Sequence, residues 1–383
     1  MSQVRLLAGR PLAQGAEGFA EHVARLGPLP RRRPDLVQAL DRTGLTGRGG
    51  AAFPVGRKWR AVAARSSGLA SVIVNGAEGE PRSQKDRVLM STRPHLVLDG
   101  ALLAAETLRA REIVLYLGED HWAARTAMQR ALAERAESER SLFRLLAAPA
   151  RYVSGESSAA TNFVTSGASL PTTTPVAPTL VQNVETLAHV ALIARYGEAS
   201  GTVLVTMAGA VAHPGVLEVD TKTSLGAAIT LAGGPSEPMR AVLLGGYFGA
   251  WLGVDEAWRL PLDPTELRRS GLSLGCGVIG VLPQDRCAVC DTAAILQYLA
   301  GESSAQCGPC FFGLRALSDA CSRIARSGTG SQDLALLKRW SAEVRGRGAC
   351  KHPDGAVLFL QSALKTFAHE FANHKAHDVK RTA

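Results

Sequence analysis

No cysteine precedes Cys276, and no apolar run in this chain is long enough to cross a bilayer as a helix. The N-terminus also lacks the apolar core of a secretory signal, so the sequence reads as a soluble, intracellular protein. Aromatic residues are scarce at 5%, and the basic residues behind a formal net charge of +9 have no aromatics interleaved with them. Surfaces that hold nucleic acid alternate cations with stacking rings, so the charge points instead toward an anionic surface or an acidic protein partner. Two familiar phosphate motifs are missing as well. No Gly-Lys-Ser/Thr closes a Walker loop, and no Gly-x-Gly-x-x-Gly directly follows a strand. What the chain does have is 46% hydrophobic residues against 20% charged ones, which excludes extended disorder, and 383 residues, which allows two or three domains. Its seven cysteines all fall between Cys276 and Cys350. An odd number crowded into the last third of a signal-free chain favours metal or redox chemistry over structural disulfides.

The richest stretch is Gly47-Arg48-Gly49-Gly50-Ala51-Ala52-Phe53-Pro54-Val55-Gly56-Arg57-Lys58-Trp59. Glycines allow positive φ and close backbone approach, and cationic side chains attract anions, so this run is expected to cradle a phosphate. Soon after it, Ser71-Val72-Ile73-Val74-Asn75 reads as a buried strand that runs into Gly76-Ala77-Glu78-Gly79-Glu80-Pro81. Polar groups at a strand's carboxyl end are where α/β sheets bind ligands.

Around these runs, 1–33 is rich in Ala, Arg, Gly and Pro and reads as a surface arm, and 34–42 as a short helix. Helix over 91–110, strand over 113–117, helix over 121–139 and strand from 143 imply a parallel sheet with helices on its faces. A polar turn at 152–157 offers a second ligand position, 172–178 is expected as a rigid polar loop, and a helix over 184–196 ends the first domain. Short strands at 202–208, 215–219 and 241–244 with a helix at 224–232 form a small mixed unit, with tight turns at 245–249 and 275–277. Helical spacing over 291–299, 309–326, 331–344 and 356–373 implies a four-helix bundle.

Taken in order, the glycine loop, Asn75 to Pro81 with Lys85-Asp86-Arg87, Gln182-Asn183-Val184-Glu185-Thr186, Gln306-Cys307-Gly308-Pro309-Cys310 and Phe367 to His374 resemble the NADH-oxidising flavoprotein subunit of respiratory complex I. The matches span nearly the whole chain. The resemblance implies an α/β multidomain protein: an N-terminal arm at 1–33, a Rossmann-like FMN domain with a parallel sheet at 34–197, a ubiquitin-like α+β domain of SLBB type at 198–285, and a helical bundle with an iron-sulfur site at 286–383. By the same resemblance Gly47, Arg48, Gly49, Gly50 and Lys58 would hold the FMN phosphate. Asn75, Glu78, Gly155, Glu156, Asn183 and Thr186 would meet the ribityl chain and ring, and Phe53 and Glu80 the incoming dinucleotide. Cys307, Cys310, Cys350 and Ser304 would hold a 4Fe-4S cluster, because soft thiolates suit iron-sulfur centres.

Departures from the family pattern cluster on the dinucleotide side. Ala77 stands where the family usually has Asp, Ser157 where it has Glu, and Ala61 where an aromatic is expected. Loss of a carboxylate near the adenosine ribose relaxes the rejection of a 2′-phosphate, so NADPH stands beside NADH as the donor. Ser304 replaces the first cysteine of the cluster turn and is a harder, more basic donor. Recruitment of Cys321, a three-iron cluster or no cluster are the alternatives to serine ligation. Cys287 and Cys290 form a further C-x-x-C pair, Cys276 and Cys321 read as small buried residues, and His352, His369 and His374 as ordinary histidines, the last two on the final helix.

The function implied is an FMN- and iron-sulfur-dependent oxidoreductase that passes electrons from NAD(P)H through flavin and cluster to a protein acceptor, a ferredoxin or another redox subunit, with no nucleic acid involved. Two alternatives stand: an electron-transfer subunit of the ferredoxin-linked Rnf type, and a degenerate partner-binding module without catalysis. The location implied is cytoplasmic, either free or held at the membrane face through a partner. The chain is shorter than the family norm at its N-terminus, which suggests a stand-alone reductase or an accessory module.

Overall fold

Val72, Ile73 and Val74 are each completely buried, and their side chains divide between the two faces of the first strand as a two-residue period requires. A strand covered on both faces is the signature of a parallel sheet under two helical layers. The structure is a computed structural model and describes residues 5–66, 68–173, 177–330 and 332–376. The chain forms two units, Met1–Thr206 with Val216–Thr221, and Met207–Gly215 with Lys222–Ala383.

In the first unit the elements in order are α1 (Phe19–Leu26), α2 (Leu36–Arg42), α3 (Val55–Ala63), β1 (Ser71–Gly76), α4 (Lys85–Thr92), α5 (Pro94–Leu108), β2 (Glu112–Gly118), α6 (Trp122–Ala133), α7 (Glu137–Arg140), β3 (Phe143–Ala148), α8 (Ser157–Ser166), β4 (Thr179–Asn183) and α9 (Val184–Tyr196). After them come β5 (Thr202–Gly209), which passes out of this unit after Thr206, and β6 (Gly215–Asp220). The first four strands form an all-parallel sheet in the order β3-β2-β1-β4. Leucines of α5 and α9 pack with Val72 and Val74 on one face, and Ala160 of α8 packs with Ile73 and Val181 on the other. At Gly100 of α5 an added Cβ would lie 2.0 Å from the Leu187 carbonyl oxygen of α9, so the two helices cross at backbone contact.

Residues 5–33 are not a surface arm. Leu6 is fully buried, and Arg93 donates to the carbonyls of Leu7, Ala8 and Arg10. His22 of α1 reaches Asp99 of α5 at 2.8 Å, and Arg135 and Arg195 close on the same carboxylate. Apolar Leu6, Leu26 and Leu29 supply the hydrophobic reason, which the surrounding Arg, Gly and Pro residues conceal. A second difference is β4, which pairs with β1 where the sequence pattern gives only the following helix. Positions 174–176 of the expected 172–178 loop lie outside the described residues.

The second unit holds α10 (Leu225–Leu231), β7 (Met239–Leu244), β8 (Ala250–Gly253), α11 (Val254–Arg259), α12 (Pro264–Arg269) and β9 (Val278–Pro283), with β7 antiparallel to both β8 and β9. Helices α13 (Ala288–Gly301), α14 (Arg315–Ser327), α15 (Asp333–Val344), α16 (His352–Thr366) and α17 (Ala368–Asn373) follow. A π-helical turn, Pro309–Leu314, leads into α14. Leu317, Ala320, Cys321, Ile324 and Ala325 are buried at three- and four-residue spacing, the stripe a bundle helix needs. Among the described residues no helix is long and apolar enough to cross a membrane.

Candidate functional site

Chain order gives β1, β2 and β3 one after another on one side, and then β4 returns to the other side of β1. The carboxyl ends of β1 and β4 therefore flank a topological switch point, the place where open parallel sheets bind ligands. Asn75 and Asn183 are register partners there.

The glycine loop is held against this edge. Thr46 bridges Pro54, and the Gly47 N–H donates to the Phe53 carbonyl at 2.9 Å, so the loop closes on itself at its base. Gly50 has φ +109° and Ala52 φ +47°, a left-handed bend that only glycine enters without strain at the first position. A Cβ at Gly49 would stand 3.3 Å from the Asn183 Cβ, tighter than ordinary contact. Among the described residues no protein acceptor is paired with the N–H groups of Gly49, Gly50 or Ala51. Backbone donors left open in a glycine-rich bend fit an anionic group such as the phosphate of FMN. Nearby on α3, Lys58 donates to the Val181 carbonyl; burial lowers its pKa, and Glu156 opposes that.

Arg48 turns away from the loop into the protein. Its N–H donates to the Thr186 hydroxyl at 2.9 Å, and its guanidinium lies 4.0 Å from Glu185, 12% exposed. Below it, Lys85 contacts Asp86 at 2.7 Å and Glu185 at 2.8 Å, and all three side chains are buried. Burial works against the Lys85 charge, but Asp86, Glu185 and Glu78 outweigh it and raise its pKa. Burial pushes Asp86 up to about 7 despite Lys85, helped by Glu78 and Glu185. Glu185 is brought down to about 2, because Lys85, His189 and Arg48 overcome its own burial. Asn183 joins the cluster: its amide donates to Asp86 at 2.7 Å, and its oxygen caps α9 by accepting from Glu185 and Thr186. The sequence pattern alone assigns no role to Lys85, Asp86 or Glu185. A carboxylate inside an otherwise apolar helix is the signal that could have found Glu185, whereas Lys85 and Asp86 open a charged run that looks like an exposed helix start.

The acidic turn is similarly engaged. Glu78 accepts from Ser83, from the Asp86 and Arg87 N–H groups and from the Arg87 guanidinium, so both its oxygens are in use. Asn75 donates to the Gly155 carbonyl at 2.9 Å, tying β1 to the 152–157 turn, and Glu156 caps α8 through Ser158 and Ala159. Glu80 accepts from the Tyr152 hydroxyl at 3.2 Å. Phe53 is 47% exposed with Arg57 5.6 Å from its ring, a rim residue and not part of the core. Sequence reasoning passes over His121: it is buried just beyond β2, and its Nδ1 has no hydrogen-bond partner among the described residues.

In the second unit Cys310 is buried at the π-helical turn, a deviation that recurs at functional sites. Burial, with Cys307 and Cys350 acting on it, pushes its thiol up to about 12, so the three sulfurs share one neighbourhood. Mutual repulsion of thiolates is what bound iron relieves, and the donor set fits an iron-sulfur centre. Ser304 is half-buried on the loop before Cys307, where Ala305 has φ +55°. His352 is not turned toward a metal through Nε2, which lies 2.7 Å from the Leu299 carbonyl.

Residues 40–192 match the Nuo51 FMN-binding domain family, 204–246 the SLBB domain, and 291–374 the NADH-ubiquinone oxidoreductase-F iron-sulfur binding region. The chain is 28% identical to the F 2 subunit of NADH-quinone oxidoreductase from Rhizobium meliloti, covering 89% of this chain and 88% of that protein. It is 29% identical to the F subunit of the Escherichia coli K12 enzyme, over 93% and 87%. Among solved structures, the NAD+-reducing [NiFe]-hydrogenase in the H2-reduced state superposes with a TM-score of 0.79 at 28% identity, covering 90% of this chain and 64% of that one, so this chain spans under two thirds of the hydrogenase subunit. With flavin-binding, SLBB and iron-sulfur regions following one another in a single chain, the protein resembles the 51 kDa flavoprotein-subunit family over nearly its whole length.

Proposed function

We propose that this chain is an FMN- and iron-sulfur-dependent oxidoreductase that takes electrons from NADH or NADPH and delivers them to a protein acceptor, working as a soluble or peripherally held module on the cytoplasmic side. The observation that carries this reading is the open set of loop donors, Gly49, Gly50 and Ala51, at the switch point between β1 and β4. When bound, FMN would supply hydride acceptance and one-electron release, and the cluster one-electron transfer.

The protein's own residues divide by what they would meet. Gly47, Gly49, Gly50 and Lys58 line the phosphate end, and Phe53 and Glu80 stand where a dinucleotide would pack. Arg48, Asn75, Glu78, Glu156, Asn183 and Thr186 spend their hydrogen bonds inside the protein and act by fixing the loop and strand ends. Cys307, Cys310 and Cys350 would hold the cluster, with Ser304 as the fourth donor. The matching division of the chain is a flavin domain at 34–197, an SLBB-type domain at 198–285 and the iron-sulfur bundle from 286.

Anaerobically purified protein is expected to show flavin absorbance that bleaches on addition of NADH or NADPH, followed by an EPR signal from the reduced cluster. Flavin that stays oxidised with both nucleotides would sink the donor assignment, and colourless protein would sink the reading as a whole.

A further inference from the structure

Cys287 caps the start of α13, and the Cys290 N–H one turn on donates to its sulfur at 3.4 Å. His374, the first residue after α17, enters the same space with its Nδ1 4.0 Å from the Cys287 sulfur. The two sulfurs and one imidazole nitrogen lie within 4.8 Å of one another. Among the described residues Cys307, Cys310 and Cys350 do not close to that spacing, which separates a single-ion arrangement from the wider set suited to a cluster.

The imidazole is oriented by the protein. Its Nε2 lies 3.2 Å from the Ala325 carbonyl of α14, and a carbonyl can only accept, so Nε2 is the donor there and Nδ1 is the nitrogen that faces the thiols. A histidine that donates its outer N–H to a backbone carbonyl while aiming the other nitrogen at sulfur has the support typical of a metal ligand. The backbone around it is fixed too. The Thr329 N–H donates to the His374 carbonyl at 3.0 Å, and the Thr329 hydroxyl to the Phe371 carbonyl at 2.7 Å. Asp291 is held by Arg286 at 2.8 Å.

We propose that Cys287, Cys290 and His374 form a binding site for a single tetrahedral, thiophilic cation of the zinc class, distinct from the iron-sulfur cysteines, with solvent in the fourth position. Two thiolates and a neutral imidazole are a common donor set for Zn2+, and a redox-inert ion here would staple the end of α17 to the start of α13.

Elemental analysis of the purified full-length holoprotein is expected to give about one zinc per chain in addition to iron. The Cys287→Ser/Cys290→Ser double variant should bring zinc to background while FMN and iron contents hold, and His374→Gln should lower zinc retention against a chelator at least several-fold. X-ray absorption at the zinc edge should report two sulfurs and one imidazole. If the double variant fails to fold, Co2+ added to metal-stripped wild type should give the visible bands of a tetrahedral thiolate site. Zinc that survives both sets of substitutions, zinc lost instead on Cys307→Ser, an octahedral cobalt spectrum, or a Cys287–Cys290 disulfide in the native protein would each overturn the assignment.

Discussion

Gly49 is the glycine of the loop that faces Asn183. Its backbone lies so close to Asn183 that a Cβ would have to displace a side chain which caps α9 and holds Asp86. Gly49→Asp adds that clash and places a carboxylate among donors turned toward an anion, so FMN content after purification is expected to fall at least ten-fold, the equivalent of about 1.4 kcal/mol. Circular dichroism should remain that of the wild type, because the loop is not part of the sheet. Full FMN content in this variant would locate the phosphate elsewhere. The glycines themselves were legible in the sequence because their function is written in their identity. The engaged state of Glu78, Asn183 and Thr186 was not, since an amide or carboxylate looks the same in sequence whether it meets a ligand or caps a helix. Lys85 and Glu185 stand in the segments that carry the resemblance but show no role there for a related reason: the partner that makes a buried ion pair tolerable lies 100 residues away, and only folding brings it near.

At the scale of elements, α5 and α9 meet where Gly100 faces the Leu187 backbone, and helices this close have no slack for a methyl group. Gly100→Ala gains helix propensity of about 1 kcal/mol but must push a pair of buried helices apart, an overpacking cost of about 1–3 kcal/mol. The net expectation is a lower thermal midpoint, read by calorimetry, despite a substitution that stabilises exposed helices. A midpoint equal to or above wild type would mean that the crossing is looser than its geometry. Most elements of the flavin unit could be read from periodicity, with α9 expected at 184–196 and found at Val184–Tyr196. β4 could not, because five residues between a polar loop and a strong helix leave too short a pattern for alternation to register. The N-terminal segment misleads for the opposite reason: its composition is that of an arm, while its few leucines and the His22 contact to Asp99 decide its position. Helical spacing puts His374 on the last helix, and its place one residue beyond Asn373 is what frees it to turn toward Cys287.

Across the first unit as a whole, the buried titratable groups set how stability responds to acid. Burial, aided by Arg135 and His22, lowers His95 from 6.5 to about 4, and burial also lowers His121 and His189. A histidine whose folded pKa lies below its unfolded value is protonated first in the unfolded chain. Its contribution is therefore complete above pH 6.5 and is lost as pH falls toward the folded value. Glu17 and Glu185 are lowered from 4.5 to about 2 against their own burial, Glu17 by His22 and Arg25 and Glu185 by Lys85, His189 and Arg48, so they withdraw stability in a second step below pH 4.5. Asp86 works the other way. Raised by burial from 3.8 to about 7, it favours the folded state as it takes up its proton between those values, and it offsets some of the histidine loss. Above pH 4.5 the histidines and Asp86 thus pull in opposite directions, while below it the two glutamates withdraw stability together, and for a unit of this size each kcal/mol lost lowers the midpoint by about 2–4 °C. The thermal midpoint of the purified protein is expected to drop more steeply below pH 4.5 than between pH 7 and 5. His95→Gln keeps an acceptor for Arg135 but cannot titrate, so it should flatten the upper range of that decline and leave the lower range intact. A His95→Gln profile parallel to wild type would show that this imidazole is not kept neutral by the fold.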